Sequence, residues 1–499
     1  MVLQRLLGSL LTVALLLSFA PAVSAQAELP PGDEPPKTLA DRIADAGTKD
    51  DYKGFNTVIV YDHAINRMKK SGVTYVEKTM LYKVLTPAGV LEKQVLRWDY
   101  DPQSSWVDVQ KVVIHRDGET IDVPVDDVWD LPAPQRAIYW GNRIKLLQLP
   151  KLQVNDGIEV HTLRKGYNYA LLGQGEGGAS GGMNADGSPP DEKFIPPMPG
   201  EYFDIVLFRA DVPTIEKKYV LHIVKDKRLI SQSYNGPVYT RTDYNADSTI
   251  YSWWAVDQPA IAHEPRQPDA SDFTPKVVMV TAESWEAKSK WFWDVNQNQF
   301  EPTQAIKDKV DAILSELPKN ASEEEKAKAL VHWVAQNIRY SGQTMGEGEG
   351  FTLHPGDMIF ENRSGVCKDI AGMLITMMRA AGMQSYPAMT MAGSRIEYEV
   401  HADQFNHCVT ALKTEDGSWR MYDPTWVPFN NDIWSKLETE QEYLIGHPDG
   451  ADLREIPYSP PEESQLKIRH NAELSEDGTL TGSFRLDGKG ALDSRMRRL

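Results

Sequence analysis

One of only two cysteines in the 499-residue sequence stands in RSGVCKDIAGMLITMMRAAGM, residues 363–383. From Ile370 the apolar residues Ile370, Met373, Leu374, Met377, Met378 and Ala381 recur at helical spacing, which predicts a helix ending at Gly382. Cys367 falls one turn before Ile370, at the N-terminal end of the same stripe. Unpaired backbone N–H groups and partial positive charge collect at such an end. They favour thiolate over thiol and offer donors to the oxyanion of an acyl-transfer intermediate. Gly365 is expected to let a substrate approach that backbone closely. The alternative role for Cys367 is that of a small buried hydrophobe opening a core helix.

A thiolate nucleophile needs an acid/base and a group that orients it. His407 in FNHCV and Asp423 in MYDPTW lie on two segments that read as a β-hairpin. If Glu415-Asp416-Gly417 is a three-residue loop with Gly417 left-handed, Thr414 pairs with Ser418. Asp423 then stands opposite Val409, on the same face as His407 and diagonal to it, about 7–8 Å away at the backbone. A two-residue turn would put Asp423 on the other face. Alternation also turns Cys408 away from His407, so Cys408 is expected on the sheet face away from Cys367, as core packing. One disulfide between Cys367 and Cys408 is then disfavoured, although two cysteines allow it.

Residues 1–25 combine Arg5, the apolar run LLGSLLTVALLLSFA and the small residues Val23 and Ala25, the pattern of a cleaved secretory signal. The expected location is periplasmic or secreted, with no integral membrane span after signal removal. A formal net charge of −18 makes nucleic acid or an anionic membrane surface a poor partner. No cofactor is expected: the glycines of 173–200 match no phosphate-binding pattern, and neither a zinc nor a calcium-loop spacing occurs.

The organisation expected is multidomain: a signal peptide at 1–25, a flexible segment at 26–50, an antiparallel β-sandwich region at 51–275, an α+β domain at 276–455 and a short β segment at 456–499. In the β-rich part, PAG at 87–89 and RDGET at 116–120 read as turns, and 173–200 as a long mobile loop. Ser322 with Glu325 forms a capping-box pattern before a helix. The last 44 positions read as two strands, too short for a core of their own.

RSGVCKDIAGM, FNHCV and MYDPTW, in that order, resemble the signature segments of the transglutaminase-like superfamily over roughly 300–445. The β-rich region resembles the domain of unknown function that precedes such domains in exported bacterial proteins. The resemblance implies a papain/transglutaminase-like fold, with Cys367 as nucleophile, His407 as acid/base and Asp423 as its orienter. It also implies an oxyanion-stabilising side chain upstream of the cysteine helix. Tyr340 is the candidate and Gln343 the fallback; an aromatic closing the preceding helix is the other role for Tyr340.

Lys368-Asp369 stands where calcium-dependent animal members have an aromatic residue, which points to the prokaryotic branch, where hydrolysis is as open as amine transfer. His354 lies upstream of the cysteine, outside the order expected of the base. The function implied is acyl transfer or hydrolysis at amide bonds of extracytoplasmic proteins or peptides. The alternatives are a cysteine peptidase or amidase on cell-envelope peptides, and an inert scaffold whose β domains do the binding.

Overall fold

The computed structural model describes residues 37–134, 141–168, 188–341, 352–425, 440–458 and 460–496. The signal sequence and Gln343 lie outside them. The chain is multidomain, with large sheets first, helices between 285 and 380, and strands again at its C-terminal end.

An eight-stranded sheet dominates the first half. Its strands are antiparallel except where Thr57–Met68 runs parallel to Thr214–Val224, joining segments about 150 positions apart. Two three-stranded sheets cover it. In one, Val95–Tyr100 and Arg143–Gln148 bring Leu96 and Leu147 against Val109, Ile114 and Val160. In the other, Lys276–Val280 lies between Ile230–Tyr234 and Phe203–Leu207. Its residues Val277 and Met279 pack on Leu221, Ile223 and Trp253 of the large sheet.

Three expectations for this half change. PAG opens a helix, Pro87–Lys93, because Thr86 Oγ1 accepts the Gly89 N–H at 3.2 Å and Pro87 supplies a helical φ at the first position. Within the expected flexible 26–50, Leu39–Asp45 is helical, and Leu39, Ile43 and Ala46 pack with Val60 and Leu81. Lys83 fixes it by donating to the Ile43 and Gly47 carbonyls at 2.8 and 2.7 Å. Of the expected loop 173–200, the described part 188–200 is packed, with Phe194 fully buried.

Helices α1 (Trp285–Asn296), α2 (Gln304–Ser315), α3 (Glu323–Asn337) and α4 (Cys367–Ala380) follow. The capping box forms before α3: Glu325 N–H donates to Ser322 Oγ at 3.3 Å, and Ser322 N–H to Glu325 Oε2 at 2.8 Å. The five-stranded sheet consists of β1 (Gln384–Thr390), β2 (His407–Lys413), β3 (Trp419–Tyr422), β4 (Glu442–Ile445) and β5 (Arg454–Glu455), in the order β3-β2-β1-β4-β5.

Every residue of α4 from Cys367 to Met378 is buried, so α4 is a central helix. Ile370, Met373, Leu374, Met377 and Met378 meet Ile306 and Val310 of α2 and Leu330, Val331 and Val334 of α3. A second stripe, Cys367, Ala371 and Ile375, meets Phe292, Met389, Phe405 and Cys408. Cys367 therefore belongs to the second stripe and not to the one beginning at Ile370. The expectation counted a single apolar face, and a helix enclosed on all sides has two. Among the described residues, the C-terminal strands Leu466–Leu474 and Leu480–Gly488 pair only with each other and are exposed along most of their length.

Leu374→Ala removes a fully buried side chain at the centre of α4. A loss of about 2–5 kcal/mol is expected, read as a lower urea midpoint at unchanged m.

Candidate active site

The hairpin between β2 and β3 fixes the histidine and the aspartate. Thr414 N–H donates to the Ser418 carbonyl at 2.9 Å, and Gly417 takes φ +83°. Lys413 pairs with Trp419 and Thr410 with Tyr422. Continuing that register sets Asp423 opposite Val409, as the three-residue loop requires. The two side chains close the remaining gap: His407 Nε2 and Asp423 Oδ2 are 2.8 Å apart, with both residues buried. The other carboxylate oxygen, Oδ1, accepts the Thr425 N–H at 2.9 Å and its hydroxyl at 2.5 Å. Asp423 is thus held on both oxygens.

Cys367 lies against β2 through the packing of that strand on α4. Thr410 Oγ1 donates to the Ala371 carbonyl at 3.1 Å, and Cys408 packs against Cys367, Ala371 and Ile375. Ala371 is one turn from Cys367, and Thr410 is three residues from His407. Cys408 therefore lies on the helix side of the sheet, not away from it. The even positions 408, 410 and 412 face α4, while Val409 and Ala411 pack with Tyr443 and Ile445 on the other side. His407 opens β2, at the end of the strand, beyond the run covered by the body of the helix. Both cysteines are free thiols. Burial pushes the Cys408 thiol well above its ordinary range, with the nearby Cys367 adding to the shift.

Tyr340 arrives by a separate route. Arg339–Tyr340 forms a two-residue parallel bridge with Ser364–Gly365, secured by Arg339 N–H to the Arg363 carbonyl at 2.9 Å and Ser341 N–H to the Gly365 carbonyl at 3.0 Å. The residue keeps 44% of its surface, but its hydroxyl is turned inward to the Cys367 thiol and backbone N–H. Burial of that end, followed by the charge of Cys367, raises the phenol above its usual value, so it stays protonated and able to donate; His407 acts on it in the opposite sense. Tyr340 is thus within electrostatic reach of both Cys367 and His407.

A further pair beside the cysteine was not anticipated. Asp369 Oδ1 lies 2.9 Å from His354 Nδ1 and accepts the His354 N–H at 3.3 Å, while Oδ2 accepts the Val366 N–H at 3.0 Å. Lys368 Nζ donates to the Thr352 carbonyl at 2.7 Å. The two residues that follow the nucleophile therefore anchor the segment before it. Gly365 serves this arrangement: a Cβ there would lie 2.5 Å from the Asp369 Cβ. It lets the carboxylate fold back over the helix start. The available signal was an acidic residue at the third position of a predicted helix, where it caps.

The segment that carries all four candidates, residues 311–424, matches the family model described as Transglutaminase-like superfamily. Through this segment the chain is similar to the transglutaminase-like superfamily. Residues 70–262 match the domain of unknown function DUF3857, so the transglutaminase-like domain follows it as the resemblance implied. The crystal structure of a protein from Parabacteroides distasonis ATCC 8503, described as a candidate protease, shares the fold. Its TM-score is 0.60 at 15% identity, over 81% of this chain and 72% of that one. A candidate cysteine protease from Cytophaga hutchinsonii aligns with TM-score 0.20 and 15% identity, over 45% of this chain and 75% of that one. No curated protein matches the chain.

Burial acts to raise the Asp369 carboxyl, but the His354 hydrogen bond, the Lys368 charge and the Val366 N–H outweigh it and hold the group below its ordinary 3.8. A carboxyl depressed by folding contributes stability above its unfolded value and loses it as pH falls through the folded one. Asp369→Asn is therefore expected to lose less stability than the unaltered chain between pH 7 and pH 3, measured by urea unfolding. Equal losses would show that the group contributes no such term.

Proposed function

We propose that this chain is an exported cysteine enzyme that opens amide bonds of proteins or peptides through an acyl-thioester. The observation that carries this reading is the buried His407–Asp423 pair at 2.8 Å, on a strand whose Cys408 packs against Cys367. With Nε2 engaged by Asp423, His407 Nδ1 is the nitrogen left to exchange a proton with the thiol.

In this reading Cys367 Sγ attacks the carbonyl carbon as His407 takes the thiol proton. The carbonyl oxygen becomes an oxyanion, met by the Cys367 N–H and the Tyr340 hydroxyl. The C–N bond then breaks, and the amine or ammonia leaves with the proton from His407. Water or a second amine, deprotonated by His407, resolves the thioester and restores the thiol. Asp423 keeps the imidazole in one tautomer and stabilises its cation. The structural neighbour described as a candidate protease favours water as the resolving group, making the products peptide fragments. The N-terminal signal pattern supports an extracytoplasmic substrate, and among the described residues no helix is long and apolar enough to cross a membrane.

Cys367→Ala should abolish turnover of a peptide library incubated with the mature chain. Fragments seen by mass spectrometry indicate hydrolysis of the main chain, and released ammonia indicates reaction at glutamine side chains. Unchanged turnover in Cys367→Ala would sink the assignment. Tyr340→Phe is expected to lower kcat about 10²–10³-fold with little change in KM, the loss typical of one oxyanion donor. In alkylation by iodoacetamide, Cys367 should label and slow at least tenfold in His407→Ala. Cys408, buried with its thiol pushed up, should stay unlabelled until the chain unfolds.

A further inference from the structure

The excursion between β1 and β2, residues 391–406, leaves the sheet at Thr390 and returns at His407, which pair with each other. On its way it borders a small pocket open to the surface. Pro196, Pro197, Met198, Phe203, Val280 and Trp291 supply its apolar wall. Trp291 and Lys288 belong to α1, Phe203 and Val280 to the three-stranded sheet of the β-rich half.

The polar end of the pocket is formed by Lys288, His401 and Asp403. Lys288 and Asp403 are both at least nine-tenths buried and form an ion pair, Nζ to Oδ2, at 3.2 Å. The Phe405 N–H also bonds this carboxylate, whose other oxygen, Oδ1, is buried with no partner. His401 directs one ring nitrogen at the Ala282 backbone, and its Nδ1 is likewise buried without a partner. Burial lowers the tendency of His401 to take up a proton, so Nδ1 is an acceptor. Glu201 also lines the pocket, with its carboxylate engaged by Lys227 and Thr281, each at 2.5 Å.

Two acceptors lacking donors, next to an apolar and partly aromatic wall, specify what fits. A carboxylate ligand would face Asp403, Glu201 and the His401 lone pair. An ammonium would sit close to Lys288. An aromatic hydrocarbon would fill the wall and leave both acceptors unsatisfied, the costly outcome for buried polar groups. We propose that this pocket binds a neutral aromatic group carrying one hydrogen-bond donor, a phenol, whose hydroxyl is shared by Asp403 Oδ1 and His401 Nδ1. Nothing in this assignment depends on the chemistry of Cys367. The site is nevertheless one layer away from it: Trp285 makes edge contacts with His401 at 5.5 Å and with Phe405 at 5.8 Å, and Phe405 packs in the cluster that holds Cys367.

The test is isothermal titration calorimetry of the mature chain at pH 7 with 4-methylphenol, toluene, 4-methylbenzoate and N-acetyltyrosinamide. The expected result is 4-methylphenol bound at least tenfold more tightly than toluene, with no binding of 4-methylbenzoate. Asp403→Asn should weaken that preference, because its carboxamide oxygen turns to Lys288 and its NH2, which can only donate to the hydroxyl oxygen, no longer accepts the hydroxyl hydrogen. Equal affinity for 4-methylphenol and toluene, binding of the benzoate, or no binding at all would overturn the proposal, as would a preference unchanged in a folded Asp403→Asn. If that variant does not fold, the ligand series on the unaltered chain still decides. Binding of N-acetyltyrosinamide alongside 4-methylphenol would mean that the site accepts a tyrosine side chain of a peptide. Binding of 4-methylphenol alone would mean a free phenol. Either supports the assignment.

Discussion

A helix buried from Cys367 at its start through the next eleven residues imposes the constraint on which the rest of this domain depends. Its two apolar stripes need cover on opposite sides, which α2 and α3 provide on one and the five-stranded sheet on the other. The same enclosure buries Lys368 and Asp369, charged residues that are rarely found fully inside a protein unless paired. Their partners are the Thr352 carbonyl, His354 and the Val366 N–H. The cost of burying two charges is thereby offset by fixing the backbone on either side of Cys367. The N–H groups that would meet an oxyanion are set before any substrate arrives, the preorganisation from which electrostatic catalysis draws its effect.

The histidine side is built differently. His407 ends an excursion of irregular chain, and such segments do not hold catalytic geometry unless they are anchored. Here the anchors come from the β-rich half. Lys276 and Glu397 form a buried ion pair at 2.9 Å, the Arg395 N–H donates to Asp272 at 2.9 Å, and Tyr234 reaches Glu399 at 3.1 Å. Val278 and Val280 pack on Val400 and Ala402. The Trp285 indole adds a bond to the Tyr398 carbonyl at 2.8 Å.

Features governed by short-range spacing were legible in the sequence. The helix after Cys367, its end at Gly382 with φ +80°, the capping box at Ser322 and the register that faces Asp423 with His407 all follow from turn and periodicity rules acting within about twenty residues. What resisted reading was decided elsewhere. VVMV at 277–280 is a short apolar run with no period, and its burial on both faces goes with its place as the central strand of a sheet. The face taken by Cys408 depends on where α4 lies across the sheet, which alternation along β2 cannot tell. Asp369 could be read as a capping residue, but its bond to His354 spans fifteen positions of non-periodic chain. In PAG the proline and glycine suggested a turn, and the threonine before them decided for a helix.

The strand Lys276–Val280 sends alternate side chains into two different cores: Val277 and Met279 toward the large sheet, Val278 and Val280 toward the excursion that ends in His407. It also lies upstream of the segment that matches the transglutaminase-like family, which begins at residue 311. The stretch that carries the recognisable motif therefore packs on a strand that lies outside it. Its histidine borrows rigidity from a strand shared with the neighbouring half, as a door borrows it from the frame. A substitution in the β-rich core can therefore shift the position of a histidine it never touches.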